Sequence, residues 1–162
     1  MVEFEIKDGV AIISERTTVI EERAFENSDI RHVVIPDSVE KLDNLAFYRC
    51  KSLESVTLPK GLKTIPYSCF DCCESLREVV IPEGITKIEE NAFLGCDLKH
   101  VIIPDSVKVI GHSAFRSCKS LESVIIPDSV KKIGGEAFEH CKSLESVTLP
   151  KGLKTIPYFC FG

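Results

Sequence analysis

No stretch of the 162-residue chain approaches the roughly 18 consecutive apolar residues of a membrane-spanning helix, so no membrane insertion is expected. Nor is there an excess of base. Twenty Lys and Arg stand against 25 Asp and Glu, for a net charge of −5. Nucleic-acid binding needs clustered cations that displace counterions from phosphates, and this balance argues against it. Missing too are a G-x-G-x-x-G, a P-loop, and any Ser or Cys nucleophile set beside a base. Those gaps predict no cofactor, no catalytic residue and no enzyme activity. The N-terminal MVEFEIKDGV is acidic and lacks the apolar segment of a signal peptide.

What is present is a repeat. Phe25, Phe47, Phe70, Phe93, Phe115, Phe138 and Phe161 lie 22, 23, 23, 22, 23 and 23 residues apart, and Pro36, Pro59, Pro82, Pro104, Pro127 and Pro150 keep the same beat. The unit is C-x-x-L-x-x-V-x-I-P-x-x-V-x-x-I-x-x-x-A-F-x-x, seen clearly in CKSLESVIIPDSVKKIGGEAFEH at 118–140. Two units lose one residue just after the cysteine place, where SDIRHV and CDLKHV replace CKSLESV. A deletion confined to one point marks a surface turn. The few apolar positions of one unit cannot close a core alone, so the units must stack into one domain.

Within each unit L-x-x-V-x-I fits a short strand: Ile30–Ile35, Leu53–Leu58, Leu76–Ile81, Leu98–Ile103, Leu121–Ile126 and Leu144–Leu149. Proline then ends the pairing, because it has no N–H for a ladder. The pair after proline (D-S, K-G or E-G) is a turn, and V-x-x-I is a second extended piece. Ala-Phe is expected to open a single helical or 3₁₀ turn.

The recurring L-x-x-I-x-I-P-x-x-V-x-x-I-x-x-x-A-F-x-x-C resembles the BspA-like (Treponema-type) leucine-rich repeats, over about residues 20–162 and six times. That resemblance implies a right-handed solenoid of 22–23-residue repeats with a parallel β-sheet on one side, mainly β or α/β with little helix. It also implies surface adhesion or ligand binding without catalysis, in a cell-surface or secreted protein. No binding residue transfers by position.

The two ends differ. In FEIKDGVAII, Asp8-Gly9 separates two alternating runs, a hairpin signal, so residues 1–19 are expected to cap the first repeat and 20–162 to form about six repeats. The last repeat stops at Phe161-Gly162, leaving Phe159 and Phe161 near an open end. Residues 51–70 recur as 142–161 with one difference, Ser68 against Phe159. This near-identity reads as duplication of a four-unit block that continues past residue 162, in a truncated or engineered chain. An open end makes an end-to-end homodimer a plausible partner arrangement.

The eight cysteines include C-x-x-C at Cys69–Cys72, which invites a redox or metal reading. Position in the repeat argues otherwise. Cys50, Cys73, Cys96, Cys118 and Cys141 each follow the repeat phenylalanine by three residues, predicting a ladder of small structural thiols. Cys69 and Cys160 take the place of Ala24, Ala46, Ala92, Ala114 and Ala137. Only Cys72 falls where Asn27, Arg49, Gly95, Ser117 and His140 stand, and it is expected as an exposed thiol, the first to oxidise. No metal site is expected, since zinc needs four convergent ligands and no second pair exists. His32 and His100 are equivalent but three units apart, and His112 and His140 occupy variable polar places, so all four are expected in solvent.

The informative row faces outward between V and I: Val34, Thr57, Val80, Ile102, Ile125 and Thr148, all β-branched. Two residues earlier stand His32, Ser55, Glu78, His100, Ser123 and Ser146. β-branched residues suit any exposed strand, but a contiguous apolar stripe, Val80–Ile102–Ile125 above all, is where an unidentified protein ligand would dock, with Glu78 and His100 beside it. Two functions stay open: a protein-binding module using this sheet face, and a structural spacer with no ligand of its own.

Overall fold

The structure, a computed structural model, describes residues 4–162; residues 1–3 of the expected cap lie outside it. Fourteen short strands and no helix make up the described residues. A hairpin comes first, β1 (Phe4–Lys7) and β2 (Val10–Ile13), turning through Asp8 and Gly9, both at positive φ. Two-residue and three-residue strands then alternate: β3 (Val19–Ile20), β4 (His32–Val34), β5 (Lys41–Leu42), β6 (Ser55–Thr57), β7 (Thr64–Ile65), β8 (Glu78–Val80) and β9 (Lys87–Ile88). The series continues with β10 (His100–Ile102), β11 (Val109–Ile110), β12 (Ser123–Ile125), β13 (Lys132–Ile133) and β14 (Ser146–Thr148). The chain is therefore a β-solenoid, each unit one coil, with its two kinds of strand stacked in parallel on separate sides.

Local chemistry explains each corner. In V-x-I the first and third residues point inward, as Val33 and Ile35 do at 2% exposure each. Regular strand pairing is confined to three residues of each expected strand, because the proline that follows turns the chain. Pro36 accepts the Val39 N–H at 3.0 Å, and every later repeat proline makes the same three-residue closure.

The Ala-Phe segment is not the helical turn expected. The residue before the alanine place and the second residue after the phenylalanine both sit at positive φ, for example Arg23 (59°) and Asn27 (56°), and two such reversals per coil forbid a right-handed helix. The segment instead forms a third ladder between coils. Phe25 N–H donates to Ala46 O at 2.8 Å, and Asn27 N–H to Tyr48 O at 2.9 Å, with equivalents in the later coils.

Inside, the phenylalanines form one column. From Phe25 to Phe161 successive rings lie 4.9 to 5.4 Å apart and within 12° of parallel. Full burial of each ring is worth about 1.5–3 kcal/mol, and stacked pairs add about 0.5–1.5 kcal/mol. Phe4 of β1 lies tilted on Phe25 at 4.5 Å, so the hairpin closes the column at that end. Coil backbones approach closely at Gly134, where a β-carbon would stand 2.3 Å from the His112 nitrogen.

Neither side of the solenoid is one unbroken sheet. The hairpin and the three-residue strands run β1-β2-β4-β6-β8 and then, separately, β10-β12-β14. Two-residue strands run β3-β5 and then β7-β9-β11-β13. Each of the two breaks opens a hollow in the surface.

Candidate functional site

On the longer face the register aligns Val34 with Thr57, Thr57 with Val80, Ile102 with Ile125, and Ile125 with Thr148. The outward aliphatics are bare: Val34 is 63% exposed, Val80 73%, Ile102 83% and Ile125 68%. The row extends one strand further than sequence reasoning placed it. Ile12 of β2 pairs with Val34, and Val10 with His32. The signal was available, since A-I-I at 11–13 already matches the V-x-I alternation of the repeats, with Ala11 and Ile13 inward at 2% and 6% exposure. In the second row His32 Nδ1 lies 2.9 Å from Ser55 Oγ. Glu78 and His100 stand on either side of the break.

That break falls at the second short unit. In full-length units the leucine N–H closes on the cysteine carbonyl three residues back, as Leu76 does on Cys73 at 3.0 Å and Leu121 on Cys118 at 3.1 Å. Leu98 is only two residues from Cys96, so this closure is lost. Asp97 instead sends its carboxylate to Arg77 Nε at 3.3 Å and to the Ser120 hydroxyl. Elsewhere the residue before each strand bonds to the coil behind it: Arg77 N–H to Glu54 O at 3.1 Å, Glu122 N–H to Lys99 O at 3.2 Å. No such bond joins Lys99 to Arg77 among the described residues. These two cations are also neighbours of like charge in a row where Arg31 meets Glu54 at 2.8 Å and Lys99 meets Glu122 at 3.2 Å. The first short unit shows no break, because the hairpin supplies Gly9 O to both Arg31 and His32 N–H.

The result is a cleft of about 540 Å³, with Val80 and Ile102 on its walls, Glu78 and His100 beside them, and Arg77 and Lys99 at one end. A second hollow of about 470 Å³ shares His100 and Ile102 and carries the groove on to Ile125, Glu83 and Asp105. The break on the other side, between β5 and β7, differs in kind. Its hollow of about 480 Å³ is walled by Glu40, Lys41, Asp43, Lys63 and Thr64, with no exposed aliphatic to anchor a partner.

The thiols divide as their places in the repeat dictate. Each ladder thiol donates to the phenylalanine carbonyl one coil back: Cys50 to Phe25 at 2.9 Å, Cys73 to Phe47 and Cys96 to Phe70 at 3.2 Å, Cys118 to Phe93 at 3.3 Å, Cys141 to Phe115 at 3.2 Å. Burial pushes the Cys73, Cys96 and Cys118 thiols well above the usual range, and Cys141 up to about 11. Cys69 is fully buried in the alanine place, and burial raises its thiol strongly.

Cys72 departs from expectation. It is half-buried rather than exposed, and burial, followed by the neighbouring Asp71 carboxylate, pushes its thiol up to about 11. Thiolate is the reactive form, so little of this cysteine is poised to oxidise at neutral pH. The place demands a left-handed backbone (φ 59°), and the varied list Asn27, Arg49, Gly95, Ser117, His140 reflects that backbone as much as exposure. Among the described residues no group of three or more His, Cys, Asp or Glu could hold a metal ion. His112 and His140 flank a chain in which Arg116 bridges Glu136 at 2.9 Å and Glu139 at 2.8 Å; their own approaches to those carboxylates are 3.8 and 3.9 Å. At the last coil Phe159 is 64% exposed while Phe161 is half-buried against Phe138.

Comparison with known proteins matches this architecture. The BspA type leucine rich repeat region, in six copies, covers residues 10–122 and 108–162. A crystal structure of a leucine-rich repeat protein from Bacteroides ovatus is 29% identical with a TM-score of 0.88, over 99% of this chain and 49% of that one. The T. pallidum leucine rich repeat protein is 28% identical with a TM-score of 0.72, over 93% of this chain and 80% of that one. The pneumococcal vaccine antigen PcpA, 21% identical with a TM-score of 0.52 over 83% of this chain and 36% of its own, shares the fold. The chain thus spans about half the length of the Bacteroides ovatus protein. No curated protein matches.

Proposed function

This chain belongs to the BspA-type leucine-rich repeat family, and from that premise we propose that it is a non-enzymatic module that docks a protein partner on its three-residue-strand face. One observation carries the reading: Val80, Ile102 and Ile125, each more than two-thirds exposed, line the cleft where the ladder is interrupted and the hollow that continues it. Solvent-facing aliphatics scattered singly are ordinary, but three in adjacent coils beside a hollow make a contiguous apolar patch. The same proposal places the module at the cell surface or in secreted form, in keeping with the family resemblance.

Burying a Val or Ile side chain is worth about 1.5–3 kcal/mol, so three supply roughly 5–9 kcal/mol. Association costs an estimated 4–15 kcal/mol in lost freedom. The stripe alone therefore does not hold a partner tightly, and flanking groups must contribute. A spacer without a ligand is the second reading, favoured by one observation, the near-identity of 51–70 and 142–161.

Replacing Ile102 and Ile125 together with Lys tests the choice. Loss of partner capture with an unchanged melting temperature is the expected result. Undiminished capture removes this face from contention, and no capture by the parent chain from its native surroundings leaves the spacer.

A further inference from the structure

The aliphatic stripe and a row of unpaired acids coincide in the same three coils. The residue after the repeat proline runs Asp37, Lys60, Glu83, Asp105, Asp128, Lys151 along the solenoid. Where the outward row carries threonine, at Thr57 and Thr148, this row carries lysine. Where it carries Val80, Ile102 and Ile125, this row carries Glu83, Asp105 and Asp128, all exposed. Asp37 has Lys60 Nζ at 3.6 Å, whereas none of the three central carboxylates has an ion-pair partner among the described residues; Asp128 accepts the Lys151 backbone N–H on its carboxylate and the Lys131 Nζ on its backbone carbonyl, each at 2.8 Å. Glu83 and Asp105 open onto the same hollow as Ile102 and Ile125. The opposite border of the stripe is different, since Arg77 and Lys99 are already matched by Asp97 and Glu122. The groove thus has an apolar floor and one acidic border, with no ion pair on Glu83 or Asp105 among the described residues and Lys131 held close to Asp128.

Spacing selects the shape of the occupant. Adjacent coils repeat every ~4.8 Å along the solenoid. A helix laid along that axis presents one apolar residue per turn of ~5.4 Å and slips by roughly 1 Å over the three aliphatics. An extended strand laid the same way repeats on one face every ~6.7 Å and loses register within one coil. The cleft between β8 and β10 interrupts the row at one point, between Val80 and Ile102, and offers a socket for one large side chain of the helix.

Resting on the docking face proposed above, we infer that the partner segment is an amphipathic helix lying along the solenoid axis over Val80, Ile102 and Ile125. One of its apolar side chains enters the β8/β10 cleft, and lysine or arginine lines the flank that faces Glu83, Asp105 and Asp128. This is a partner defined by its chemistry: an apolar stripe with a basic border on one side.

Three synthetic peptides of about four helical turns, titrated against the full chain by fluorescence anisotropy, test it. The first is side-chain stapled, with a leucine stripe and lysine along one border. The second carries glutamate in place of the lysines. The third has the lysine composition but two prolines that prevent a helix. The lysine helix is expected to bind at least about tenfold tighter than the glutamate helix, the scale of two or three exposed ion pairs made rather than opposed. The preference should shrink as salt is raised. It should invert on the double variant Glu83→Lys, Asp105→Lys, which leaves Asp128 and its backbone contact intact. Equal binding of the two helices, or no binding by either, overturns the inference. If the proline peptide binds as well as the stapled one and loses affinity on Ile102→Lys, the docking face survives and the helix falls. If the lysine helix binds and Ile102→Lys with Ile125→Lys leaves its affinity unchanged, both fall.

Discussion

Residues 51–70 and 142–161 are the same twenty-residue sequence but for one position, and they do not have the same structure. In the inner copy Leu53 and Ile65 are fully buried, and Thr64–Ile65 forms strand β7. In the outer copy Leu144 is half-buried, Ile156 is 54% exposed, and its two-residue strand is absent. Tyr67 is 39% exposed and Tyr158 88%. Local propensity is identical, so the difference comes from packing: among the described residues the first copy lies between two coils, whereas the second packs against the preceding coil. Each coil is made by its neighbours, as expected of a chain whose units contact only the units beside them.

The largest effect that sharpens this contrast is in the aromatic column. Phe70 sits between Phe47 and Phe93, whereas Phe161 stacks on Phe138 alone. Phe70→Ala should cost about 3–5 kcal/mol, read as a lower urea midpoint, and Phe161→Ala less than half of that. Next comes the pair Ile65→Ala and Ile156→Ala. The buried side chain should cost about 2–4 kcal/mol and the exposed one about 0.5 kcal/mol or less. Equal losses at the two sites would mean that local sequence, not stacking, sets the structure.

The thiols give a smaller, pH-dependent effect. Burial raises the Cys141 and Cys160 thiols to about 11, above the ordinary value of about 8.5. Above that ordinary value the unfolded chain releases protons that the folded chain still holds, so stability falls as pH rises. The contribution is fully present below about pH 8.5 and is lost as the pH rises through about 11. Urea midpoints taken from neutral to alkaline pH should decline, and Cys141→Ala should flatten the decline. Smallest of all, Phe159→Ser makes the two copies identical in sequence; with Phe159 exposed, the midpoint should move by no more than about 0.5 kcal/mol equivalent.

Much of the fold was legible because it repeats. The phenylalanine and proline beats gave the coil, V-x-I-P gave the longer strands, and the position of Cys50 and its equivalents pointed inward. The alternation at His32–Val34 likewise put Val34, Val80, Ile102 and Ile125 on the surface. What escaped depends on relations between coils rather than on any one of them. The ladder break at β8/β10 follows from one missing residue at Asp97-Leu98, but the first short unit carries the same deletion and stays paired through Gly9. The Ala-Phe turn looked helical because its left-handed residues, such as Leu45 and Ser113, are not glycine. Cys72 looked exposed because its equivalents are polar, when their shared property is a backbone with positive φ.

The docking face is tested most directly by a photo-crosslinking side chain placed at position 102, on the stripe, and in a second chain at position 108, which is exposed near the two-residue strand β11. A partner docked over the β8/β10 cleft gives an adduct from position 102 and none from 108. An adduct from position 108 with none from 102 would contradict it.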